Sequence, residues 1–193
     1  MALEANRLGV KAMTVYAFST ENFKREASEV EYIFKLPKEF FNLYLKELMD
    51  NNVQIRYIGH LEMAPKETQD IIQAAIDQTA NNTGLILTFA FIYGGRDEIV
   101  ETTKEICEKY KNGEISLDDI NEDYFEKHLM TKDLPPVDLM VRSSGECRLS
   151  NFLPWQLAYA EFIFDETLWL ILMRNIFIGQ LQYIREENVD LEV

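Results

Sequence analysis

The sequence predicts an α/β fold: a single domain with a largely parallel central sheet flanked by helices. Three observations carry that reading. Short apolar runs rich in strand formers, at 10–18, 84–93 and 137–142, alternate with stretches whose apolar residues recur at helical spacing. The run 84–93 is almost uninterrupted, as a strand covered on both faces requires. Three polar clusters, 19–25, 94–96 and 142–150, follow directly on strand-like runs, and open parallel sheets hold their ligands beyond the carboxyl ends of the strands.

The elements follow in order. Residues 10–18 form a strand that ends in polar Ser19-Thr20-Glu21-Asn22. In 26–51, Val30, Ile33, Phe34, Phe40, Phe41, Tyr44, Leu45 and Leu48 recur at helical spacing, and Pro37 is expected to kink or split that helix. Residues 53–59 alternate Val53, Ile55 and Tyr57 with polar partners, a half-exposed strand. Pro65 opens a helix that runs to about Asn81. Gly94-Gly95 breaks the chain before a helix with Ile99, Val100, Ile106, Cys107 and Tyr110 inward, stopped at Gly113. Short helical turns fill 116–130, and 137–142 and 160–164 are strands. No repeat, low-complexity tract or linker divides the chain.

The 193 residues are 47% apolar, enough for one sizeable core. A net charge of −14 and a pI of 4.6 argue against binding nucleic-acid backbone over a broad surface, yet leave room for a local phosphate site. Cys107 and Cys147 are too few and too far apart for a disulfide framework or zinc site, so a reducing cytoplasm is expected. His60 and His128 lack a metal-ligand partner at helical spacing. Asn81-Asn82-Thr83 fits a glycosylation sequon, but residues 1–7 lack the basic and apolar regions of a secretory signal. The apolar run 167–178 is interrupted by Arg174 and Asn175 and is too short to cross a bilayer.

The strongest chemical signal lies in 138–151, where an apolar strand ends in Arg142 and is followed by Arg148 and Ser150. Two guanidiniums and a hydroxyl at a strand end make an anion clamp, because each guanidinium can grip a pair of phosphate oxygens. Such local positive charge in an acidic chain needs a reason. The other signals admit two readings. The 19–25 loop suits a plain strand-to-helix connection with an N-cap, and Gly94-Gly95 suits a tight turn. Glu161, in an otherwise apolar strand, is either half of an ion pair or a ligand for a hard cation. The aromatic helix around Phe34, Phe40, Phe41 and Tyr44 is either core or the wall of a ligand tunnel.

Four strings settle the choice: Tyr-Ala-Phe-Ser-Thr-Glu-Asn (16–22), Asn-Thr-Gly-Leu (82–85), Tyr-Gly-Gly-Arg (93–96) and Arg-x-Ser-Gly-Glu-x-Arg-Leu-Ser-Asn-Phe-Leu-x-Trp-Gln (142–156). In this order, and over about residues 8–169, they resemble the bacterial cis-prenyltransferases, the undecaprenyl diphosphate synthase family. The resemblance implies sequential condensation of isopentenyl diphosphate onto an allylic diphosphate such as farnesyl diphosphate, with a new cis double bond at each step. It implies Mg2+, a homodimer, and a cytoplasmic enzyme that meets the membrane through its product. It assigns Arg142, Arg148, Leu149 and Ser150 to the diphosphate of isopentenyl diphosphate, and Glu161 to the metal. Ser19, Thr20, Glu21, Phe23 and Arg25 would line the substrate site. Asn22 would be the catalytic residue at proton removal; an amide is a poor base, so its part is positioning or relay.

The resemblance stops at both ends. Family members open with a strand ending in Asp-Gly-Asn-Gly-Arg-Trp, which cradles the allylic diphosphate and supplies a metal-binding Asp. The sequence contains no such string, so the family's first strand is expected to be missing and turnover impaired. The alternative is a non-catalytic interaction subunit or an inactive remnant. Residues 170–193 resemble no family ending. Codons chosen for them, read one nucleotide later, spell Asp-Phe-Asp-Glu-Glu-Tyr-Phe-Tyr-Arg-Ala-Ile and end Arg-Arg-Phe-Gly-Gly. A one-nucleotide frameshift is therefore the reading, with 1–169 as the prenyltransferase domain and 170–193 as a tail whose apolar part is an exposed liability. Smaller departures are Phe23 for Trp, Ile92 for Asn, Cys147 at a variable position and Pro154 for Leu.

Overall fold

The computed structural model describes residues 1–167. Helix α1 (Ala2–Arg7) precedes β1 (Ala12–Ser19), which turns through a short 3-10 helix (Thr20–Lys24) into α2 (Ala27–Asp50). Then come β2 (Gln54–Ile58), α3 (Lys66–Thr79), β3 (Ile86–Tyr93) and α4 (Gly95–Lys111). A short α5 (Glu122–Glu126), β4 (Leu139–Arg142) and β5 (Glu161–Phe164) complete the described chain. The tail at 170–193, with its frameshift reading and its apolar stretch, lies outside the described residues.

Every described strand pairing is parallel. β1, β3 and β2 form one sheet in that order, and β4 and β5 form a second. β3 is central and accordingly the apolar one, with all but two of its residues buried. Its one irregularity sits at the end that matters. Pairing with β1 slips near the rim, so that Ser19 meets Tyr93 and Ile92 is left with φ +54°. A β-branched residue there is strained. The expected substitution of Ile92 for Asn thus falls on a backbone that Asn adopts with less cost.

Two apolar cores hold the layers. The first joins Phe18, Ile55, Leu87 and Phe91 of the sheet to Phe41 and Leu48 of α2 and Ile72 and Ala75 of α3. The second joins Ile58, Ala90 and Tyr93 to Met140, Leu153 and Leu157, tying the two sheets together. Among the described residues no helix is long and apolar enough to cross a membrane.

Two sequence expectations need correction. Pro37 lies inside α2 without ending it. The ring removes one backbone hydrogen bond, but Val30, Ile33 and Phe34 before it and Phe40, Phe41 and Leu45 after it pack on the same core, and that shared burial keeps one helix. In α4 the apolar pattern places Ile106 correctly and misassigns three of the other residues. Val100, Cys107 and Tyr110 are exposed, and the buried stripe is Glu98, Thr102 and Ile106. The helix turns a carboxylate inward because acceptors are needed there.

Candidate active site

The three polar clusters meet at one rim. β1 and β3 end side by side, with Ser19 opposite Tyr93, so the turn starting at Thr20 and the Gly94-Gly95 turn are neighbours. The junction residue is Asn151. Its carbonyl accepts from the Gly95 amide at 2.8 Å, its Oδ1 accepts from the Arg96 amide at 2.8 Å, and its Nδ2 donates to Glu21 Oε1 at 2.7 Å. Sequence reasoning gave Asn151 no role. Its signal was only its place beside Ser150, since its partners are 55 and 130 residues away.

The clamp residues follow. Arg142 ends β4, and its Nη1 donates to Ser150 Oγ at 2.9 Å and to the Arg148 carbonyl. The Arg148 guanidinium pairs with Glu146 in the same turn. Leu149 is half-buried against the second core, which orients the segment carrying Ser150. The turn itself is pinned from the far strand: the Ser144 amide donates to the Thr167 carbonyl and the Gly145 amide to the Asp165 carbonyl, both at 2.9 Å.

The 19–25 loop divides between two tasks. The Ser19 amide donates to Asn22 Oδ1 at 2.8 Å, so the Asn22 carbonyl is engaged and its NH2 is the free-to-donate end. Glu21 accepts from Asn151 and, at 3.3 Å, from Thr20 Oγ1. Burial pushes the Glu21 carboxyl up, but the hydrogen bonds from Asn151, the backbone, Thr20 and Ser19 outweigh it and hold the group below the ordinary carboxylate range. Phe23 and Arg25, with Ala27, Val30, Glu31 and Phe34, line an open recess of about 370 Å³. Arg25 pairs with Glu29 at the mouth of that recess.

Beneath the rim lies a buried polar network that the sequence did not suggest. Glu98 accepts from Tyr93 Oη at 2.6 Å and Gln156 Nε2 at 3.0 Å on one oxygen, and from the Met130 amide at 2.8 Å on the other. Burial, with Glu98 next to it, pushes the Tyr93 phenol far above its ordinary value. Tyr16 donates to the Tyr93 carbonyl at 3.0 Å, and burial lifts its phenol to about 12. Both tyrosines are donors throughout the neutral range.

Glu161 is not brought to the clamp. It starts β5 opposite Leu139, whereas Arg142 lies opposite Phe164. Three residues of strand put about 10 Å between those two ends. Among the described residues no group of three His, Cys, Asp or Glu side chains could hold a metal ion.

The fold and rim define an α/β protein with Arg142, Arg148 and Ser150 gathered at the carboxyl ends of parallel strands. The chain belongs to the family described as "Putative undecaprenyl diphosphate synthase", whose model matches residues 1–188. It is 52% identical over 165 residues to an isoprenyl transferase of Bacillus subtilis, covering 86% of this chain and 64% of that one. Against the Micrococcus luteus ditrans,polycis-undecaprenyl-diphosphate synthase ((2E,6E)-farnesyl-diphosphate specific) it is 48% identical, covering 86% and 66%. The chain thus spans about two thirds of these relatives. Among solved structures it resembles lavandulyl diphosphate synthase from Lavandula x intermedia in complex with dimethylallyl diphosphate, with a TM-score of 0.89 and 35% identity over 94% of this chain and 79% of that one. A probable undecaprenyl diphosphate synthase from Campylobacter jejuni gives 0.82 and 32%, over 94% and 83%.

Proposed function

We propose that this chain serves cis-prenyl transfer, the sequential condensation of isopentenyl diphosphate onto an allylic diphosphate such as farnesyl diphosphate to build a polyprenyl diphosphate, with impaired turnover of its own. One observation carries the reading: a single short turn, Thr20–Lys24, is tied through Glu21 to Asn151, the neighbour of Ser150, and lines the recess beside Val30 and Phe34 with Phe23. Such a pairing suits a ligand with a diphosphate head and a hydrocarbon tail.

In the reaction, the allylic C–O bond breaks and its electron pair leaves with the diphosphate. The double bond of isopentenyl diphosphate attacks the allylic carbon, a C–C bond forms, and a proton is lost to restore a double bond. Arg142, Arg148, Ser150 and the Leu149 backbone would hold the isopentenyl diphosphate head, their donors matching its negative charge. To accept that head, Arg148 must exchange Glu146 for phosphate oxygens. Asn22, with its carbonyl engaged by Ser19, offers a donor, so its part is to orient an oxygen beside the departing proton.

Magnesium belongs to this reading as a companion of the substrate: a hard cation held by phosphate oxygens needs only one or two carboxylates. Glu161→Gln tests that carboxylate through the magnesium dependence of isopentenyl diphosphate binding. The same reading includes a cytoplasmic homodimer, which light scattering checks. The deciding experiment titrates isopentenyl diphosphate into the chain by calorimetry. Arg142→Ala should weaken binding by about 10- to 100-fold, the loss of a charge-assisted pair. Equal binding by both proteins would remove the clamp from the function.

A further inference from the structure

The first amides of a helix have no partner within it, and with the positive end of the helix dipole they form a natural seat for an anion. In α4 that seat is taken. The Gly95 and Arg96 amides both donate to Asn151, which caps the helix from 55 residues away. The space over the two glycines is occupied as well. A Cβ on Gly95 would stand 2.0 Å from Pro154 Cδ, and one on Gly94 would stand 2.5 Å from Thr20 Oγ1 and 3.1 Å from Asn151 Nδ2. The Gly-Gly pair makes room for protein and not for phosphate.

The same amide group reaches across the rim. Its Nδ2 donates to Glu21, while the neighbouring residue, Ser150, meets Arg142. Asn151 sits at φ +65° and Ser150 at +50°, a conformation that Asn adopts more readily than other non-glycine residues. Ala or Ser would lose one bond or the other; a short planar group with an acceptor and a donor serves both.

We propose that Asn151 is the positioning residue of the diphosphate site. It caps α4 with its two oxygens and grips Glu21 with its nitrogen, holding the 19–25 turn and the 142–150 clamp in one register. This rests on the reading of that rim as a diphosphate site.

Two variants separate the roles of that amide. Asn151→Asp keeps both acceptors for α4 but turns a second carboxylate on Glu21. Asn151→Asp combined with Glu21→Gln exchanges donor and acceptor and leaves the net charge of the pair unchanged. Each is titrated with isopentenyl diphosphate by calorimetry, and amide hydrogen exchange is followed at 19–25 and 95–96. Asn151→Asp should bind about tenfold more weakly, the worth of one hydrogen bond to a charged group. Its 95–96 amides should stay protected while 19–25 exchange faster. The exchanged pair should recover the protection at 19–25. Unchanged binding in Asn151→Asp, or an exchanged pair no better protected there than the single variant, overturns the proposal. If the unsubstituted chain binds no isopentenyl diphosphate, the functional reading falls, and the exchange pattern alone decides whether Asn151 couples the two loops.

Discussion

Replacing Glu98 with Ala removes the acceptor at the centre of the network beneath the Gly94-Gly95 turn. Glu98 is 1% exposed and Tyr93 is fully buried, so water does not compensate. Three donors lose their partner: Tyr93 Oη, Gln156 Nε2 and the Met130 amide. An orphaned buried donor costs about 1–3 kcal/mol. Gln156 keeps a second bond to Thr131 Oγ1 at 2.9 Å, which softens its share. The expected loss is about 3–5 kcal/mol, a large part of the 5–15 kcal/mol that holds a typical domain. In a chain of this size that lowers the melting temperature by roughly 10 °C. Glu98→Gln is the control. It keeps an acceptor for Met130, and its new NH2 can meet Gln156 Oε1, a buried acceptor with no partner among the described residues, once the Gln156 amide turns over. Its loss should stay below about 1.5 kcal/mol. Circular dichroism melts of the three proteins decide. An Ala variant melting within about 2 °C of the parent, or a Gln variant falling as far as Ala, would refute the reasoning.

The remaining predictions concern the rim. His60 lies between Asp97, 2.5 Å from Nε2, and Glu62, 3.0 Å from Nδ1; burial pulls its pKa down, but the two carboxylates outweigh it and raise it above 6.5. A raised histidine contributes stability that is full below the unfolded pKa and lost as pH climbs through the folded one. The gap in melting temperature between the parent and Asp97→Asn should therefore be widest below pH 6.5 and shrink as the pH climbs above it; a gap independent of pH would contradict the pairing. Gly95→Ala should displace the Pro154 ring and weaken isopentenyl diphosphate binding, and adding Pro154→Ala should recover part of it, because the ring is the closest obstacle at 2.0 Å. Ser150→Gly should raise thermal stability by about 1 kcal/mol while weakening binding, since glycine accepts φ +50° freely but has no hydroxyl for Arg142.

Much of this fold was legible because β3 and the clamp strand are short apolar runs that stop abruptly at polar residues. That pattern gives the strand order of events and the rim at which Ser19, Gly94 and Arg142 gather. What the sequence concealed is long-range pairing of polar groups. Glu98 sits on the face of α4 that a hydrophobicity pattern assigns to solvent, because its partners come from β3, from residue 130 and from Gln156. Asn151 reads as one more letter of a motif, because capping logic looks a few residues ahead and its helix lies far upstream. Ile92 was visible as an unusual residue for its place, yet only the backbone angle of +54° gives the reason. Glu161 marks the opposite limit: a motif position was legible, and its separation from Arg142 along the paired strands was not.

The clamp segment shows why chemistry wins over conformational ease at this rim. Ser144, Ser150, Asn151 and Leu153 all have positive φ, and each such non-glycine residue costs about 1–2 kcal/mol. Glycine would relieve the backbone, and one is used in the same segment at Gly145, where an added Cβ would meet nothing. Three of the four side chains that take the strain are engaged: Ser150 meets Arg142, Asn151 bonds α4 and Glu21, and Leu153 is buried in the core joining the two sheets. Their hydrogen bonds and burial offset the strain, and the strained backbone leaves those three side chains few other places to point. At a rim built this way Ser150 and Asn151 meet a diphosphate already arranged, and the rearrangement left to oppose binding is the release of Arg148 from Glu146.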